Sequence, residues 1–286
     1  MGTSHVTISC EEYARQGCKV YATARRLEAM DAFTAPNIEK LTLDVMKQDN
    51  INEVVKTIIE NEGRIDVLVN NAGVLCAGED PVHCELVDTV LKRSIGPVIE
   101  VPMDVIERAY DTNVFSIIRM CKAAIPHMAA RKSGTIVNIS SVTACVPTPW
   151  AGIYSSTKSA TQALSEVLYM ECKPFNVSVL NVTTGAVASN IAVNQSASFS
   201  GLPENSLYKH YLDDIVARIH MSQGRDKMPV SAYARQVVAK SLQKGVPREI
   251  MLGGKVLLYR VMTWLPRTLA LCMFWWFFTR YARRSA

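Results

Sequence analysis

The sequence predicts an α/β domain built on a parallel β-sheet. Two patterns predict this fold class: short apolar runs of strand length recur along the chain, and stretches with apolar residues at helical spacing lie between them. A chain of 286 residues, of which 49% are hydrophobic, can bury the core of one such domain and still carry an appendage. We therefore expect a single domain over residues 1–254 and a separate tail over residues 255–286.

Five strands and four helices follow from these patterns. The predicted strands are 19–24, 40–43, 66–69, 135–139 and 177–182. The predicted helices lie near 11–17, after Met103, around Tyr154 and over 232–242. The helix around Tyr154 has five apolar residues at helical spacing, which we expect to pack on the sheet: Ala160, Ala163, Leu164, Val167 and Leu168.

Tyr154 and Lys158 form the most informative pair in the chain. Four residues apart on a helix, they share one face, so the Lys158 ammonium can approach the Tyr154 phenol. A phenol titrates near ~10, and a neighbouring cation favours the phenolate and lowers its pKa. The pair therefore predicts a tyrosine that acts as a general acid or base, which suits the reduction of a carbonyl group.

A second pair, Tyr169 and Lys173, has the same spacing, so the spacing alone does not locate the site. Only the first pair follows an apolar strand that ends in Ser140 and Ser141. We therefore assign the site to Tyr154 and interpret Tyr169 as a helix-surface residue.

A turn of small residues follows strand 66–69, and a planar ligand could approach its backbone closely. With this turn in place, the chain resembles the short-chain dehydrogenase/reductase family over roughly residues 11–254. The resemblance implies a single Rossmann-like domain with a doubly wound parallel sheet. The residues that carry the resemblance are Asn70, Asn71, Ala72, Gly73, Asn113, Ser141, Tyr154 and Lys158.

The resemblance also implies a role for each catalytic residue. Tyr154 would protonate the substrate carbonyl oxygen as hydride arrives from the nicotinamide, and Ser141 would hydrogen-bond the same oxygen. Lys158 would hold the nicotinamide ribose and lower the pKa of Tyr154. Asn113 would support a proton-relay water, although it could instead belong to a polar patch on the helix after Met103.

Charge at the end of strand 19–24 predicts the cofactor. An acidic residue there would bind a ribose 2′-hydroxyl, but Arg25 and Arg26 occupy the position. Guanidinium groups match a 2′-phosphate, so we expect NADP(H), with two surface arginines as the alternative. The remaining cofactor contacts implied by the resemblance are Asp44 and Val45 at the adenine, and Asn71, Ala72, Gly73, Asn113, Tyr154, Lys158, Gly185 and Val187.

The chain departs from the family pattern in two places. No glycine occurs between Gly2 and Gly17, so the glycine-rich pyrophosphate turn and most of the first strand are missing. Either residues 5–9 form a substitute strand, or the chain is a shortened product or an imperfectly assigned gene. Residues 79–95 lengthen the segment between Gly73 and Asn113, and we interpret them as a surface insertion, with retained intron sequence as the alternative.

The tail combines positive charge with an aromatic, apolar stretch. After Glu249 no acidic residue occurs, and residues 268–279 lie between arginines. Twelve helical residues span only ~18 Å, less than the ~30 Å hydrocarbon core, so we expect the tail to lie on a membrane surface. A helix that covers the substrate cleft or a dimer interface is the alternative. Nucleic acid is not an expected partner. The cysteines and histidines show no ligand spacing, so no metal site is expected.

The segment 186–229 is expected to cover the substrate, as the corresponding lid does in the family. Its apolar and aromatic residues favour a hydrophobic carbonyl compound: Phe199, Leu202, Leu207, Tyr208, Tyr211, Leu212 and Ile215.

The lid and tail together resemble fungal NADPH-dependent 1-acyldihydroxyacetone phosphate reductase-like enzymes. The resemblance implies a reductase or alcohol dehydrogenase that interconverts a carbonyl and a secondary alcohol on a lipid-like substrate such as acyl-dihydroxyacetone phosphate. A steroid, retinoid or secondary-metabolite ketone is the alternative substrate. A catalytically impaired family member without the pyrophosphate-binding turn is the alternative function. The expected location is the cytosol-facing surface of the endoplasmic reticulum or a lipid droplet, and the resemblance implies a homo-oligomer.

Overall fold

A computed structural model describes residues 5–71, 95–188, 201–221, 224 and 226–284. Each of the five predicted strands is present, and a sixth follows them. The strands are β1 Val20–Ala24, β2 Ile38–Thr42, β3 Val67–Asn70, β4 Gly134–Ser141, β5 Val177–Thr184 and β6 Glu249–Leu252. The longer helices are α1 His5–Arg15, α2 Gln48–Glu62, α3 Met103–Tyr110, α4 Ser116–Ala130, α5 Gly152–Glu171, α6 Leu212–His220, α7 Val230–Leu242, α8 Val256–Trp264 and α9 Arg267–Phe278.

The strands form two parallel sheets. Four of them are ordered β3-β4-β5-β6, and β1 pairs with β2 in a separate two-stranded sheet. Ser141 lies beside Thr184 across β4 and β5, and Thr184 lies beside Leu252 across β5 and β6. The predicted parallel α/β class is therefore confirmed, but the described strands do not form one continuous sheet.

The sheet is divided because the residues that could have formed its first strand belong to α1. A substitute strand over residues 5–9 is wrong, because His5–Arg15 is helical. Glu12 accepts hydrogen bonds from Arg15 and Gln16 one turn later, which supports the helix. The buried Tyr13 packs the helix onto α7, where its hydroxyl lies 2.6 Å from Ser241 Oγ. Within the described residues, no strand joins the β1–β2 pair to the four-stranded sheet that begins at β3.

Helices cover both faces of the four-stranded sheet, as burial of parallel strands requires. On one face, Ile136 and Val179 pack against Ile117 and Met128 of α4. On the other, Val137 and Leu180 pack against α7. The doubly wound arrangement is thus present around β4 and β5, whose carboxyl ends carry the predicted site.

The expected apolar face of α5 is confirmed only at Leu168, which packs on the core of the sheet. Ala163 and Val167 are exposed, and the side chains that the helix buries toward the sheet are mostly polar. Small hydroxyl groups occupy this face because they accept hydrogen bonds from buried amides: Asn113 donates to Thr157, and Asn138 donates to Ser165. The buried residues of α5 are Ile153, Ser155, Thr157, Lys158, Thr161 and Ser165.

The tail folds back on the domain as α8 and α9. Phe274 and Phe278 pack with Val142 and Val146, which directly follow β4. Three hydrogen bonds anchor the end of the tail. Trp150 Nε1 donates to the Phe278 carbonyl at 3.2 Å, and the Asp214 carboxylate accepts from the amides of Tyr281 and Ala282 at 3.0 Å each. No helix within the described residues is long and apolar enough to cross a membrane.

Candidate active site

Ser141 ends β4 and begins the site. Its extended backbone leads into a single helical turn, Val142–Cys145, and its hydroxyl caps that turn by accepting from the Thr143 amide at 3.2 Å. The Thr143 hydroxyl also lies 3.0 Å from Ser141 Oγ. The Ser141 hydroxyl is hydrogen-bonded to the phenol of Tyr154. The predicted serine and tyrosine therefore meet at the carboxyl end of the sheet.

Tyr154 and Lys158 occupy the first turns of α5. Lys158 is buried, and its ammonium donates to the Ile139 carbonyl at 2.9 Å and lies 5.9 Å from the centroid of the Tyr154 ring. The Ser140 hydroxyl donates to the Lys158 carbonyl at 3.1 Å, which fixes α5 against β4. The competing pair lies elsewhere: Tyr169 packs on the core beneath α4, so its assignment as a surface residue is wrong.

Asn113 lies in a π-helical turn, Asp111–Phe115, between α3 and α4. Such turns are frequent at functional sites because the extra residue redirects a side chain. Asn113 is buried; its amide donates to Thr157 Oγ1 at 3.1 Å, and its carbonyl accepts from Thr161 Oγ1 at 3.3 Å. The alternative of a surface polar patch is therefore wrong, and Asn113 faces α5 one turn from Tyr154.

A chain of buried amides supports this arrangement. Asn70 Nδ2 donates to Asn138 Oδ1 at 2.8 Å, and Asn138 Nδ2 donates to Ser165 Oγ at 2.9 Å. Ser165 then donates to the Thr161 carbonyl at 2.7 Å. The connection from β3 through β4 to α5 was missed in the sequence, where only a polar residue inside the apolar run 135–139 signals it.

Burial dominates the electrostatics of Tyr154. Burial raises the pKa of its phenol, while the hydrogen bond from Ser141 and the charge of Arg218 act in the opposite direction. The expected net lowering of this pKa is therefore wrong, because desolvation outweighs the Ser141 hydrogen bond and the charge of Arg218. A raised pKa keeps the phenol protonated at neutral pH, which is the form that can donate a proton to a carbonyl oxygen.

Arg218 is a site residue that sequence reasoning missed. It extends from α6, its Nε donates to Thr148 Oγ1 at 3.0 Å, and its guanidinium lies 5.8 Å from the centroid of the Phe278 ring. Its charge acts on the hydroxyls of both Tyr154 and Tyr259. The available signal was a basic residue at helical spacing between the apolar residues of α6.

The predicted adenosine-binding residues follow β1 and β2. Arg26 is partly buried and Arg25 is exposed, directly after the last residue of β1. Asp44 is held by two local hydrogen bonds: its amide donates to Asn50 Oδ1 at 2.7 Å, and its carboxylate accepts from the Met46 amide at 3.1 Å. The two arginines suit a 2′-phosphate. No glycine-rich cradle for a pyrophosphate is found among the described residues.

The other predicted cofactor contacts are distributed around β3 and β5. Asn71 follows β3, whereas Ala72, Gly73 and most of the predicted insertion 79–95 lie outside the described residues. Gly185 packs so tightly that an added Cβ would lie 2.3 Å from the Gly254 carbonyl oxygen. Val187 is buried. The last insertion residue, Ile95, is also buried, so that end of the segment is core and not a surface excursion.

Aromatic residues of the lid and tail meet in one cluster. The Trp150 ring lies 5.4 Å from the Tyr211 ring and 5.9 Å from the Trp275 ring, centroid to centroid. Ile215 and Ile219 of α6 are buried beneath them. Two predicted lining residues, Leu207 and Leu212, are instead exposed, because they lie on the outer side of the segment. Phe199 lies outside the described residues.

A proton-donating tyrosine, a serine that shares its target and a buried lysine at the carboxyl ends of parallel strands define an oxidoreductase of the nucleotide-binding α/β class. Residues 7–198 match the short chain dehydrogenase family. The chain belongs to this family, as the sequence predicted. Within the described residues, no cluster of metal-ligating side chains is present.

Named relatives agree with the predicted cofactor. The NADPH-dependent 1-acyldihydroxyacetone phosphate reductase of Saccharomyces cerevisiae is 32% identical over 251 residues, which cover 85% of this chain and 76% of the relative. The reductase of the same name from Schizosaccharomyces pombe is 32% identical and is matched over 70% of this chain and 62% of its own length. A 3-ketodihydrosphingosine reductase of Bacteroides thetaiotaomicron is 27% identical over 91% of this chain and 88% of its own.

Solved structures support the fold. A short-chain dehydrogenase from Streptomyces avermitilis superimposes with a TM-score of 0.71 and 27% identity, covering 97% of this chain and 92% of that one. The NADP-bound structure of ElxO superimposes with a TM-score of 0.68 and 22% identity, covering 89% and 95%. The NADP(H) cofactor predicted from Arg25 and Arg26 agrees with the relatives and neighbours named for NADPH or NADP.

Proposed function

We propose that the chain is an NADPH-dependent reductase that converts the ketone of a 1-acyldihydroxyacetone phosphate into a secondary alcohol. An NADP(H)-dependent oxidoreductase acting on CH-OH or C=O groups follows from the family. The substrate is the proposed part. The observation that carries it is the protonated, Ser141-bonded phenol of Tyr154 beside the cations Arg218 and Lys158, in a chain whose lid and tail share an aromatic cluster.

The residues of the chain can perform the proton side of this reaction. NADPH, when bound, supplies the hydride. The Tyr154 hydroxyl donates a proton to the carbonyl oxygen, and Ser141 donates a hydrogen bond to the same oxygen and so holds the carbonyl in place. Lys158 is positioned to hold the nicotinamide ribose next to Tyr154. Asn113, held by Thr157 and Thr161, supports the path by which Tyr154 recovers its proton.

We expect an acyl chain to bind at the aromatic cluster of the lid and tail. Trp150, Tyr211 and Trp275 form a continuous aromatic group from the lid to α9. Aromatic and aliphatic groups bind an alkyl chain by removing its surface from water, at ~25 cal/mol per Å². A sugar has less apolar surface to remove from water against these groups, so the hydrophobic contribution to its binding would be smaller.

The outer face of the tail suits a membrane surface. Trp264 and Trp276 are 82% and 68% exposed, and Leu257 is 72% exposed. Positive charge borders these residues, since the Arg283 guanidinium lies 4.5 Å from the centroid of a Trp276 ring. Exposed aromatic residues with basic neighbours favour insertion at the headgroup level of an anionic bilayer. The inner face of the same helices packs on Val142 and Val146, so only the outer face is free to contact a membrane.

The catalytic proposal is tested by product formation. We expect purified full-length protein to oxidise NADPH when 1-acyldihydroxyacetone phosphate is added, with the corresponding alcohol identified by mass spectrometry. Tyr154→Phe should lower the rate by roughly 100-fold or more, because the proton donor is lost. Tyr169→Phe is the matched control and should retain activity. Loss of activity in the control but not in Tyr154→Phe would place the site elsewhere.

The membrane proposal is tested by flotation with liposomes. Replacing Trp264 and Trp276 by Ser should reduce binding to anionic liposomes, and high salt should release part of the intact protein. Leu207→Ser removes an equally exposed apolar side chain on the lid and serves as the control. Equal flotation of all three proteins would contradict attachment through the tail. An endoplasmic reticulum or lipid-droplet location is part of this proposal.

A catalytically impaired family member is the second candidate, and the divided sheet favours it. No strand of the described residues joins the β1–β2 pair to the four-stranded sheet, and the glycine-rich turn that the family resemblance implies before Gly17 is missing from the sequence. Absence of NADPH binding by the intact protein, measured by fluorescence titration, would support this candidate. We also propose a homo-oligomer, since the exposed Val167 and Met170 of α5 form an uncovered apolar strip.

A further inference from the structure

Arg218 is a partly buried cation on α6. Among the described residues no Asp or Glu forms an ion pair with it, and its one hydrogen bond goes to the neutral hydroxyl of Thr148. Burial lowers the pKa of the guanidinium, and only the phenols of Tyr259 and Tyr154 offset this effect. Holding a desolvated charge without a counterion costs free energy, so such groups often mark a site for an anion.

A second cation lies near Arg218. Lys255 begins α8 with a left-handed backbone, and its ammonium lies 3.4 Å from the Met221 carbonyl. Burial lowers the pKa of Lys255, and the charges of Arg218 and Arg280 lower it further, whereas Asp226 raises it. Arg218 and Lys255 thus lie near each other, and the charge of Arg280 at the end of the tail also acts on Lys255.

We propose that Arg218, assisted by Lys255, binds the phosphate group of the substrate. This inference rests on the proposed function and assigns its substrate class: a ketone with a phosphate ester on the carbon next to the carbonyl. The carbonyl oxygen lies at Tyr154 and Ser141, and Arg218 is close enough for its charge to act on the Tyr154 phenol. A phosphate one carbon away from the carbonyl therefore falls within reach of the guanidinium.

The contacts of Arg218 leave its terminal nitrogens available to a phosphate group. Thr148 and the Phe278 ring hold the guanidinium through Nε and one face. The two terminal nitrogens donate no hydrogen bond to a described residue, and they are the nitrogens that bind phosphate oxygens in pairs. Phe278 belongs to the tail and Arg218 to the lid. The contact between the Phe278 ring and the guanidinium therefore requires the tail to be packed on the domain.

The inference is tested with a matched pair of substrates, 1-acyldihydroxyacetone phosphate and the same molecule without its phosphate. We expect the intact protein to favour the phosphorylated ketone in kcat/KM. Arg218→Met keeps the apolar stem and should lower this preference by about 10- to 100-fold, the loss expected for a charge-assisted contact. Arg218→Lys should restore part of it, and Lys255→Met should have a smaller effect because Asp226 already offsets its charge.

The control is Arg235→Gln, which removes an exposed arginine from α7 and should leave the preference unchanged. The inference is overturned if the intact protein reduces both ketones equally well. It is also overturned if Arg218→Met lowers both reactions by the same factor, since that result is expected when Arg218 acts only on the Tyr154 pKa or on the tail.

A binding measurement separates this inference from the proposed function. Glycerol 3-phosphate, titrated calorimetrically, should bind the intact protein and Arg235→Gln at least 10-fold more tightly than Arg218→Met. If neither ketone is reduced but this difference is found, the reductase proposal fails and the phosphate site stands. Equal binding by all three proteins overturns the site.

A lipid headgroup is the other source of a phosphate. Vesicles of phosphatidic acid and of phosphatidylcholine distinguish it from the substrate. If Arg218→Met weakens binding to the phosphatidic acid vesicles and leaves the substrate preference intact, the cations serve the membrane and the inference is wrong.

Discussion

Replacing Asp214 by Ala should detach the tail from the lid. The Asp214 carboxylate is 3% exposed and accepts from the amides of Tyr281 and Ala282, each at 3.0 Å. Ala282 is buried and Tyr281 is partly exposed, so one amide loses its partner without access to water and the other regains water. At ~1–3 kcal/mol for each buried group left without a partner, we estimate a loss of about 2–4 kcal/mol.

Hydrogen exchange of the α9 amides measures this loss. A change of about 2–4 kcal/mol corresponds to a rise of roughly 30- to 1000-fold in the population of the opened tail, and exchange should accelerate accordingly. Asp213→Ala is the matched control, because Asp213 occupies the same first turn of α6 and is exposed. Any effect of charge on the helix dipole is shared by both variants, so the difference between them isolates the two hydrogen bonds.

Equal exchange in the two variants would refute the reasoning. It would mean that the packing of Phe274 and Phe278 on Val142 and Val146 holds the tail without the carboxylate. If the tail is released as expected, activity on a long-chain ketone should fall as well, because Trp275 would leave its place beside Trp150 and Tyr211.

Two further predictions concern the cofactor and pH. Replacing Arg25 and Arg26 by Ala should remove most of a preference for NADPH over NADH, a loss of ~1.5–3 kcal/mol in binding that fluorescence titration measures; equal binding of both cofactors by the intact protein would contradict it. Because burial raises the pKa of Tyr154, the phenol stays protonated through neutral pH, so reduction should not decline until the pH exceeds ~10, whereas alcohol oxidation, which needs the phenolate, should rise with pH. A reductive rate that already falls between pH 7 and pH 8 would show that the phenol is not shifted upward.

Local patterns were enough to predict much of the fold. The strands ending in Asn70 and Ser141 have apolar runs of strand length, and the spacing of Tyr154 and Lys158 depends only on helix geometry. These features do not depend on which distant element packs against them. The same holds for the placement of Ser141 beside Tyr154, since the end of a strand and the start of the next helix meet at one edge of the sheet.

Features set by tertiary contacts could not be predicted in this way. Residues 5–9 contain β-branched residues, yet they continue a helix whose position depends on the contact of Tyr13 with Ser241 far along the chain. Arg218 looks like any surface arginine until α6 is placed against Phe278. The direction of the Tyr154 pKa shift likewise depends on burial, which the spacing of residues in the sequence does not reveal.

Asn138 connects the sheet to the catalytic helix, and its replacement tests whether the four-stranded sheet organises the site by itself. Asn138→Ala removes hydrogen bonds of 2.8 Å to Asn70 and 2.9 Å to Ser165, and both partners are buried. We expect a loss of about 2–4 kcal/mol in the free energy of unfolding, measured with urea. Asn181 lies opposite Asn138 on β5 and is also buried, but its Oδ1 has no hydrogen-bond partner among the residues that the structure describes. Asn181→Ala should therefore cost about 1 kcal/mol.

The catalytic consequence separates a positioning role from a general loss of stability. Asn138 is connected to Asn113 through two residues of α5: the Ser165 hydroxyl donates to the Thr161 carbonyl, and the Thr161 hydroxyl donates to the Asn113 carbonyl. Below the unfolding transition, Asn138→Ala should therefore lower kcat while the Asn181→Ala enzyme keeps its rate. Equal kcat values in the two variants would mean that the π-helical turn alone positions Asn113, and that the amide chain stabilises the sheet without organising the chemistry.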